Sequence, residues 1–461
     1  GRWQIVRPSI YARRITATTP LAIGGPAAGQ AMMKTAVDPT GRSVLGTLGN
    51  CGSGRTPWGT CLSGEKNWAD HFSAADTPTA HERRFGIRKA TGHRWPEHDE
   101  RFDTVRHPNE PHRFGWVVEV DPMDSSSVPV KRTALGRAAH TGTCVAVTKT
   151  GLAVVYTGDD ARLGYIYRFV SRDPVRQAGN GLSAARANAQ LLDHGLLSVA
   201  RFDVGGRGRW LPLTHGQGPL TAANGFADPG EVLIKARQAS DLLGATKLDR
   251  PQGLAIDEMT RWVHCALSNS GSRGQAGLVP GLGATNQGAD HAMGQIIRWH
   301  EDGNLDGEGF AWNHLALASD AGRSPTARQG DVNGDPFSSP GRIAFDARGV
   351  LWVGTGIGIG TPNPRDAMRP GNNALLACDP ATGEFRRFLT GPVGCAVTGA
   401  AWAGDGRTMF VNIQHPGAAV GELSDPAAPD RFSRWPDHRP DGRPRSATVA
   451  IRRQDGGVIG A

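Results

Sequence analysis

The sequence predicts an all-β fold, a propeller of roughly six blades with loop insertions and one or two short helices. Three observations carry that expectation. Gly 63 and Pro 31 make about a fifth of the 461 residues, while aromatics are only 7%, a balance suited to many short strands joined by tight turns. A unit of apolar strand, Asp/Gly turn and second apolar strand, often carrying Trp, recurs along the chain. A further set of short apolar strands recurs between those units.

The first set reads as hairpins, because Asp and Gly supply the turn and the flanking residues fit half-buried strands. Its instances are Ala36-Val37-Asp38-Pro39-Thr40-Gly41, Ala255-Ile256-Asp257 leading to Trp262-Val263, Ile343-Ala344-Phe345-Asp346 leading to Leu351-Trp352-Val353, and Ala401-Trp402-Ala403-Gly404-Asp405-Gly406 leading to Met409-Phe410-Val411. The second set comprises Val117 to Asp121, Tyr165 to Phe169, Gln295 to Trp299 and Ala374 to Asp379. Residues 70 to 112, 270 to 294 and 320 to 340 are polar or rich in Gly, Ser and Asp, and read as surface loops. Helix is expected at 183 to 197, which is rich in Ala, and at 231 to 243, where apolar residues fall at helical spacing. Residues 1–461 read as one propeller domain, with a set of β-sandwiches as the competing arrangement.

The formal charge is +8 and the pI about 9.5. The basic residues are scattered, and clusters such as Glu82-Arg83-Arg84 mix signs, so nucleic acid is not the expected partner. Attraction of anionic small molecules is. No run of about 18 apolar residues is present, so no membrane-spanning helix is expected. The six cysteines, Cys51, Cys61, Cys144, Cys265, Cys378 and Cys395, form no CxxC pair, which removes zinc-ribbon and thioredoxin patterns and leaves a pairing of Cys61 or Cys265 open. No GxSxG, HExxH or P-loop occurs. The chain opens at Gly1-Arg2-Trp3 with no apolar targeting stretch.

Long motifs resemble those of the PhoX family of metal-dependent alkaline phosphatases, in the family's order from about Trp3 to the C-terminus. They include Asn50-Cys51 with Thr56-Pro57-Trp58-Gly59-Thr60, His107-Pro108-Asn109-Glu110, Arg113-Phe114-Gly115-Trp116, Lys131 to Arg137, Tyr156-Thr157-Gly158-Asp159-Asp160, Arg250-Pro251, Phe410 to Gly417 and Arg443 to Thr448. The resemblance implies a propeller exported by the twin-arginine route to the periplasm or beyond, with iron and calcium at its axis and activity on phosphate monoesters. Chain length against the family implies that an N-terminal portion with the export signal is absent, which would leave an unpaired edge strand or one that recruits another chain.

The resemblance also marks the axial positions. Cys51 stands where the family has an iron ligand, and a thiolate suits iron. Five acids expected beside it are replaced. The family's Glu-Glu appears as Glu65-Lys66, its His-Glu as His140-Thr141, its Arg-Pro-Glu as Arg250-Pro251-Gln252, its Cys-Glu-Val as Cys395-Ala396-Val397, and a last Asp as Gly356. Losing five acids, one of them to Lys66, moves the local formal charge by about six units toward positive, which opposes a cluster of hard cations. Ligands could instead have moved to Glu65, Asp159 or Asp160. Arg250 matches an arginine that would face phosphate in the family, and Lys66 would add a second cation. Calcium has two further candidate loops, Asp331-Val332-Asn333-Gly334-Asp335 and Asp302-Gly303-Asn304-Leu305-Asp306, whose oxygens alternate around a turn. His107 and His415 read as packed or loop-fixing residues.

The functional expectation is a catalytically impaired PhoX-like propeller that binds a phosphorylated or other anionic small molecule. The alternative is an alkaline phosphatase with an altered metal site. A lactonase-like calcium hydrolase rests on fold analogy alone, and no cluster of acids supports it.

Overall fold

The computed structural model describes residues 3–269, 285, 293–319, 330–358, 368, 370–418, 425–440 and 442–460. Most of the loop expected at 270 to 294, and its counterpart over 320 to 329, lie outside the described residues. The strands alternate side chains between two faces, and both faces are buried in several of them, as in Leu152–Asp159 and Val263–Leu267. That pattern needs a neighbour on each side, which stacked antiparallel blades provide.

Five blades are built from the described residues, against the roughly six expected. The first runs outward from Asn50–Arg55 through Cys61–Glu65, Val117–Val120 and Val130–Arg132 to Pro20–Gly24 and Ser43–Leu45. The second begins at His140–Val147 and continues through Leu152–Asp159, Ile166–Pro174 and Gly195–Asp203. The third comprises Pro251–Ile256, Val263–Leu267, Gln295–Glu301 and Gly309–Leu317. Arg207–Pro212 pairs with the outer strands of both and joins them into a nine-stranded sheet. Pro340–Phe345, Leu351–Thr355, Ala374–Asp379 and Glu384–Thr390 form the fourth blade, and Ala396–Trp402, Thr408–Gln414 and Ala447–Arg452 the fifth.

Apolar clusters fill the gaps between successive blades. Leu62 and Val117 meet Val155 and Phe169 between the first and second. Val154 and Tyr156 point the other way, to Cys265 and Trp299 of the third. Val353 and Leu376 face Ala266 and Ile296, while Trp352 and Leu375 face Val397 and Val411. The single-residue alternation Val154/Val155 and Trp352/Val353 is what lets one strand serve two clusters. The first strand of each blade is thereby fixed beside the axis.

Three expectations are corrected. The segment 183 to 197 holds one helical turn, Ala184–Ala187, and a 3-10 turn, after which Gly195–Asp203 is a strand paired with Ile166–Pro174. Tertiary pairing overrides the helix propensity of its alanines. Residues 70 to 112 are not merely a surface loop: a capped helix, Ala80–Phe85, and 3-10 turns bury Phe72, Phe85 and Phe102 against the first blade. The Ala36 to Gly41 motif is a turn without a preceding strand, held by Asp38, which accepts from Thr40 Oγ1 and Ser43 N at 2.5 and 2.9 Å. Helix at 231 to 243 is observed as Pro229–Ile234 and Ala236–Leu242. All six cysteines are free, so neither Cys61 nor Cys265 is paired. No helix among the described residues is long and apolar enough to cross a membrane.

His264, 1% exposed between the third and fourth blades, lies 5.1 Å from the Phe345 ring. Burial, aided by Arg298, pushes its imidazole down to about 3. The neutral form therefore supports the fold fully above pH 6.5, and that support is lost as pH falls from 6.5 toward 3. His264→Leu should flatten the loss of unfolding free energy over that window by about 1 kcal/mol per pH unit, read from urea titrations at successive pH values.

Candidate functional site at the propeller axis

Of the positions that the resemblance marks, Thr141, Gln252 and Ala396 lie at the starts of inner strands, while Lys66 and Gly356 follow the second strands of their blades. Thr141, second in its strand, donates from Oγ1 to the Pro251 and Gln252 carbonyls at 3.1 and 3.3 Å. A Cβ at Gly356 would stand 3.8 Å from Ala396 Cβ, so these two positions face each other. Gly52 has φ +72°, and a Cβ there would overlap the Thr141 carbonyl oxygen. Only glycine lets the first and second inner strands come this close.

Cations occupy this region. Lys66 Nζ lies 2.5 Å from Asp160 Oδ2, Arg250 Nε donates to Asp160 Oδ1 at 2.8 Å, and Gln252 Nε2 donates to Oδ2 at 3.0 Å. The Asp160 side chain is fully buried, whereas Lys66 and Arg250 keep 17% and 26% of theirs exposed. Burial acts to raise the Asp160 carboxyl, but Lys66 and then Arg250 overcome it and hold it down at about 2. Asp160 in turn raises the Arg250 guanidinium above its ordinary value. Arg250 Nη1 reaches Asn269 Oδ1 at 3.4 Å. Arg342, third in its inner strand, donates to Cys51 Sγ at 2.6 Å and to the Thr141 carbonyl. Lys66 and Arg250 thus stand as two cations on one carboxylate, and Arg342 as a third cation beside Cys51.

The other acids are bound into the framework. Glu65 is wholly buried and accepts from Lys131 Nζ at 2.8 Å and from the backbone N–H groups of Leu48, Gly115 and Trp116. Asp159 accepts from Arg237 Nε and Nη2 at 2.8 and 2.5 Å and from Ala139 N at 2.9 Å. Burial raises the Asp159 carboxyl, and Arg237 more than compensates, so it lies below the ordinary value. These donors take the lone pairs that a metal would need, and Arg342 stands against the one candidate thiolate. The donor set therefore does not fit a cluster of iron and calcium. Among the described residues no group of three or more His, Cys, Asp or Glu converges.

The structure does not bring the calcium candidates to the axis. Asp331 accepts from Leu317 N, Asp335 from Arg387 N, and Asn333 Nδ2 reaches the Thr382 carbonyl at 3.5 Å. Asp331 is thus held by the outer strand of the third blade, and Asn333 and Asp335 lie at the margin of the fourth. Asp302 pairs with Arg207 at 2.6 Å. His107 lies 3.6 Å from Glu100, and His415 donates from its backbone N to Ser446. Arg342 is the site residue that sequence reasoning missed. The available signal was its place, third in an inner strand, close to the register of Thr141 and Gln252 in theirs.

The family model described as alkaline phosphatase PhoX matches residues 1–417. Among solved structures, Pseudomonas fluorescens PhoX in complex with vanadate, a transition state analogue, is 42% identical, with a TM-score of 0.91 over 100% of this chain and 79% of that one. A gluconolactonase from Xanthomonas campestris is 14% identical over 86% of this chain and 84% of its own, with a TM-score of 0.30. The calcium-binding protein regucalcin from Agrobacterium tumefaciens is 10% identical over 83% and 86%, with a TM-score of 0.28. Those last two likenesses are too weak to carry an argument. No curated protein matches the chain.

Proposed function

Because the chain belongs to the alkaline phosphatase PhoX family, we propose that it is a phosphate-binding member whose axis holds the anion with protein cations and turns over phosphate monoesters poorly or not at all. The observation that carries this reading is the set of three cations around Asp160 and Cys51. Guanidinium and ammonium groups bind phosphate through charge-assisted hydrogen bonds, and a partly buried pocket screens them less than bulk water does. An excess of two positive charges over Asp160 suits a dianion.

Lys66 and Arg250 supply the donors that face solvent, and Asp160 holds both in place. Arg342, tied at two points, is preorganised rather than mobile, which lowers the entropic cost of binding. Hydrolysis would require an activated nucleophile and an acid for the leaving alcohol. The axial carboxylates are committed to Lys66, Arg250, Lys131 and Arg237, so none is free to serve. The rival reading, a working phosphatase with relocated metals, needs the same carboxylates released. Family membership supports a location in the periplasm or outside the cell.

Calorimetry with inorganic phosphate, on protein first dialysed against a chelator, tests this reading. Binding should survive chelation and weaken with added salt. Binding that vanishes on chelation and returns with iron or calcium would refute it.

A further inference from the structure

The second blade carries, at the outer end of Ile166–Pro174 and the start of Gly195–Asp203, a groove that takes no part in the axial site. One recess, of about 700 Å³, is walled by Arg172, Arg176, Arg186 and His194, with Asp173 as the one acid of its lining. A second, of about 490 Å³, adjoins it through Arg172 and His194 and has Pro26, Val170 and Leu196 in its wall. Asn188, 2% exposed, fixes the first recess. Its side chain donates to the Arg176 and Ala184 carbonyls at 2.7 and 2.8 Å and accepts from Arg176 N at 2.8 Å. Every bond of this buried amide pins the loop bearing Arg176 to the helical turn bearing Arg186, so both walls are set before anything binds.

The cations of the groove are only partly used. Arg172 pairs with Asp173 at 3.0 Å and Arg186 with Asp124 at 3.1 Å, which leaves donors of each guanidinium fork open. Arg176 joins no ion pair among the described residues. Arg172, with Arg176 and His194 behind it, holds the Asp173 carboxyl below its ordinary value, so several positive groups bear on a single acid.

We infer that this groove docks an acidic segment of a partner polypeptide, with carboxylates on Arg172, Arg176 and Arg186 and an apolar side chain in the second recess. Charge complementarity decides the first part. In the second recess Asp193 is already held by Arg132 at 2.9 Å and Asp306 repels an anion, while Leu196, 45% exposed, offers apolar surface. The exposed amides of Gln177 and Gln190 also line the first recess. An amide both donates and accepts, as the N–H and C=O of an extended backbone require. Inorganic polyphosphate offers acceptors alone, and neither recess has Phe, Tyr or Trp in its wall on which a nucleobase could stack.

Fluorescence anisotropy of the whole chain with a labelled peptide of glutamates ending in leucine tests the inference, with inorganic polyphosphate as the competing probe. The peptide should bind, and more weakly as salt is added. Arg176→Glu, at an exposed position, should weaken it by at least about tenfold, with circular dichroism as the control for folding. Gln190→Ala should weaken the peptide and leave polyphosphate unmoved. A peptide that fails to bind at low salt, or that binds the Arg176→Glu protein as tightly as the parent, would overturn the inference. Polyphosphate binding as tightly as the peptide would overturn it too, in favour of a site that reads charge alone.

Discussion

Replacing Glu65 with alanine is expected to lower the free energy of unfolding by roughly 3–5 kcal/mol. Glu65 and Lys131 are both fully buried, 2.8 Å apart, and the same carboxylate accepts three backbone N–H groups. Alanine would leave a buried ammonium unpaired, with only the Arg113 carbonyl still accepting from it at 2.8 Å. Burial already pulls the Lys131 ammonium below its ordinary value, with Glu65 opposing that pull. Truncating one partner of such a pair costs far more than removing both. Glu65→Ala combined with Lys131→Met should therefore recover part of the loss. Urea unfolding of the three proteins reads this directly. A Glu65→Ala cost below about 1 kcal/mol would mean that the carboxylate is not a framework acid. It would then be open to coordinate metal after all.

The second large effect concerns Arg342. Substitution by leucine should weaken inorganic phosphate binding by about ten- to a hundredfold, the range for losing a hydrogen bond to a charged group. The same change should flatten the dependence of affinity on salt, because one of three cations is gone. The wild-type contacts of Arg342 are a thiol and a carbonyl, so its removal strands no carboxylate, and the fold should tolerate it. Calorimetry at two ionic strengths measures both effects, with circular dichroism as the control for folding. Unchanged affinity would place the anion elsewhere.

The blade strands were legible because alternation of apolar residues is written locally, as in Leu351-Trp352-Val353 and Gln295 to Trp299, and each run needs only its own neighbours to be recognised. The helix expected at 183 to 197 failed at its C-terminal end because Gly195–Asp203 is claimed by the strand beside it, a choice made by tertiary contacts. Phe72, Phe85 and Phe102 were hidden in a polar stretch with no regular period, where composition says loop and packing says core.

At the site, Lys66, Thr141, Gln252, Gly356 and Ala396 were singled out by the motifs that surround them. What stands beside them in space could not be read there. Arg342 reaches Cys51 across 291 positions of sequence, and Asp159 meets Arg237 across 78. Ion pairs of that span leave no periodic trace. Hence sequence reasoning held Glu65, Asp159 and Asp160 open as relocated ligands, while the structure shows the cation that each one holds.

Iron and calcium content per chain of the purified protein, measured by elemental mass spectrometry, bears most directly on whether cations of the chain have replaced the family's metals at the axis. Neither metal near stoichiometric amounts at the axis, with both absent after mild chelation and the fold intact, is the expected result. Stoichiometric iron retained through chelation, together with hydrolysis of p-nitrophenyl phosphate, would contradict it and return Cys51, Glu65, Asp159 and Asp160 to the role of ligands.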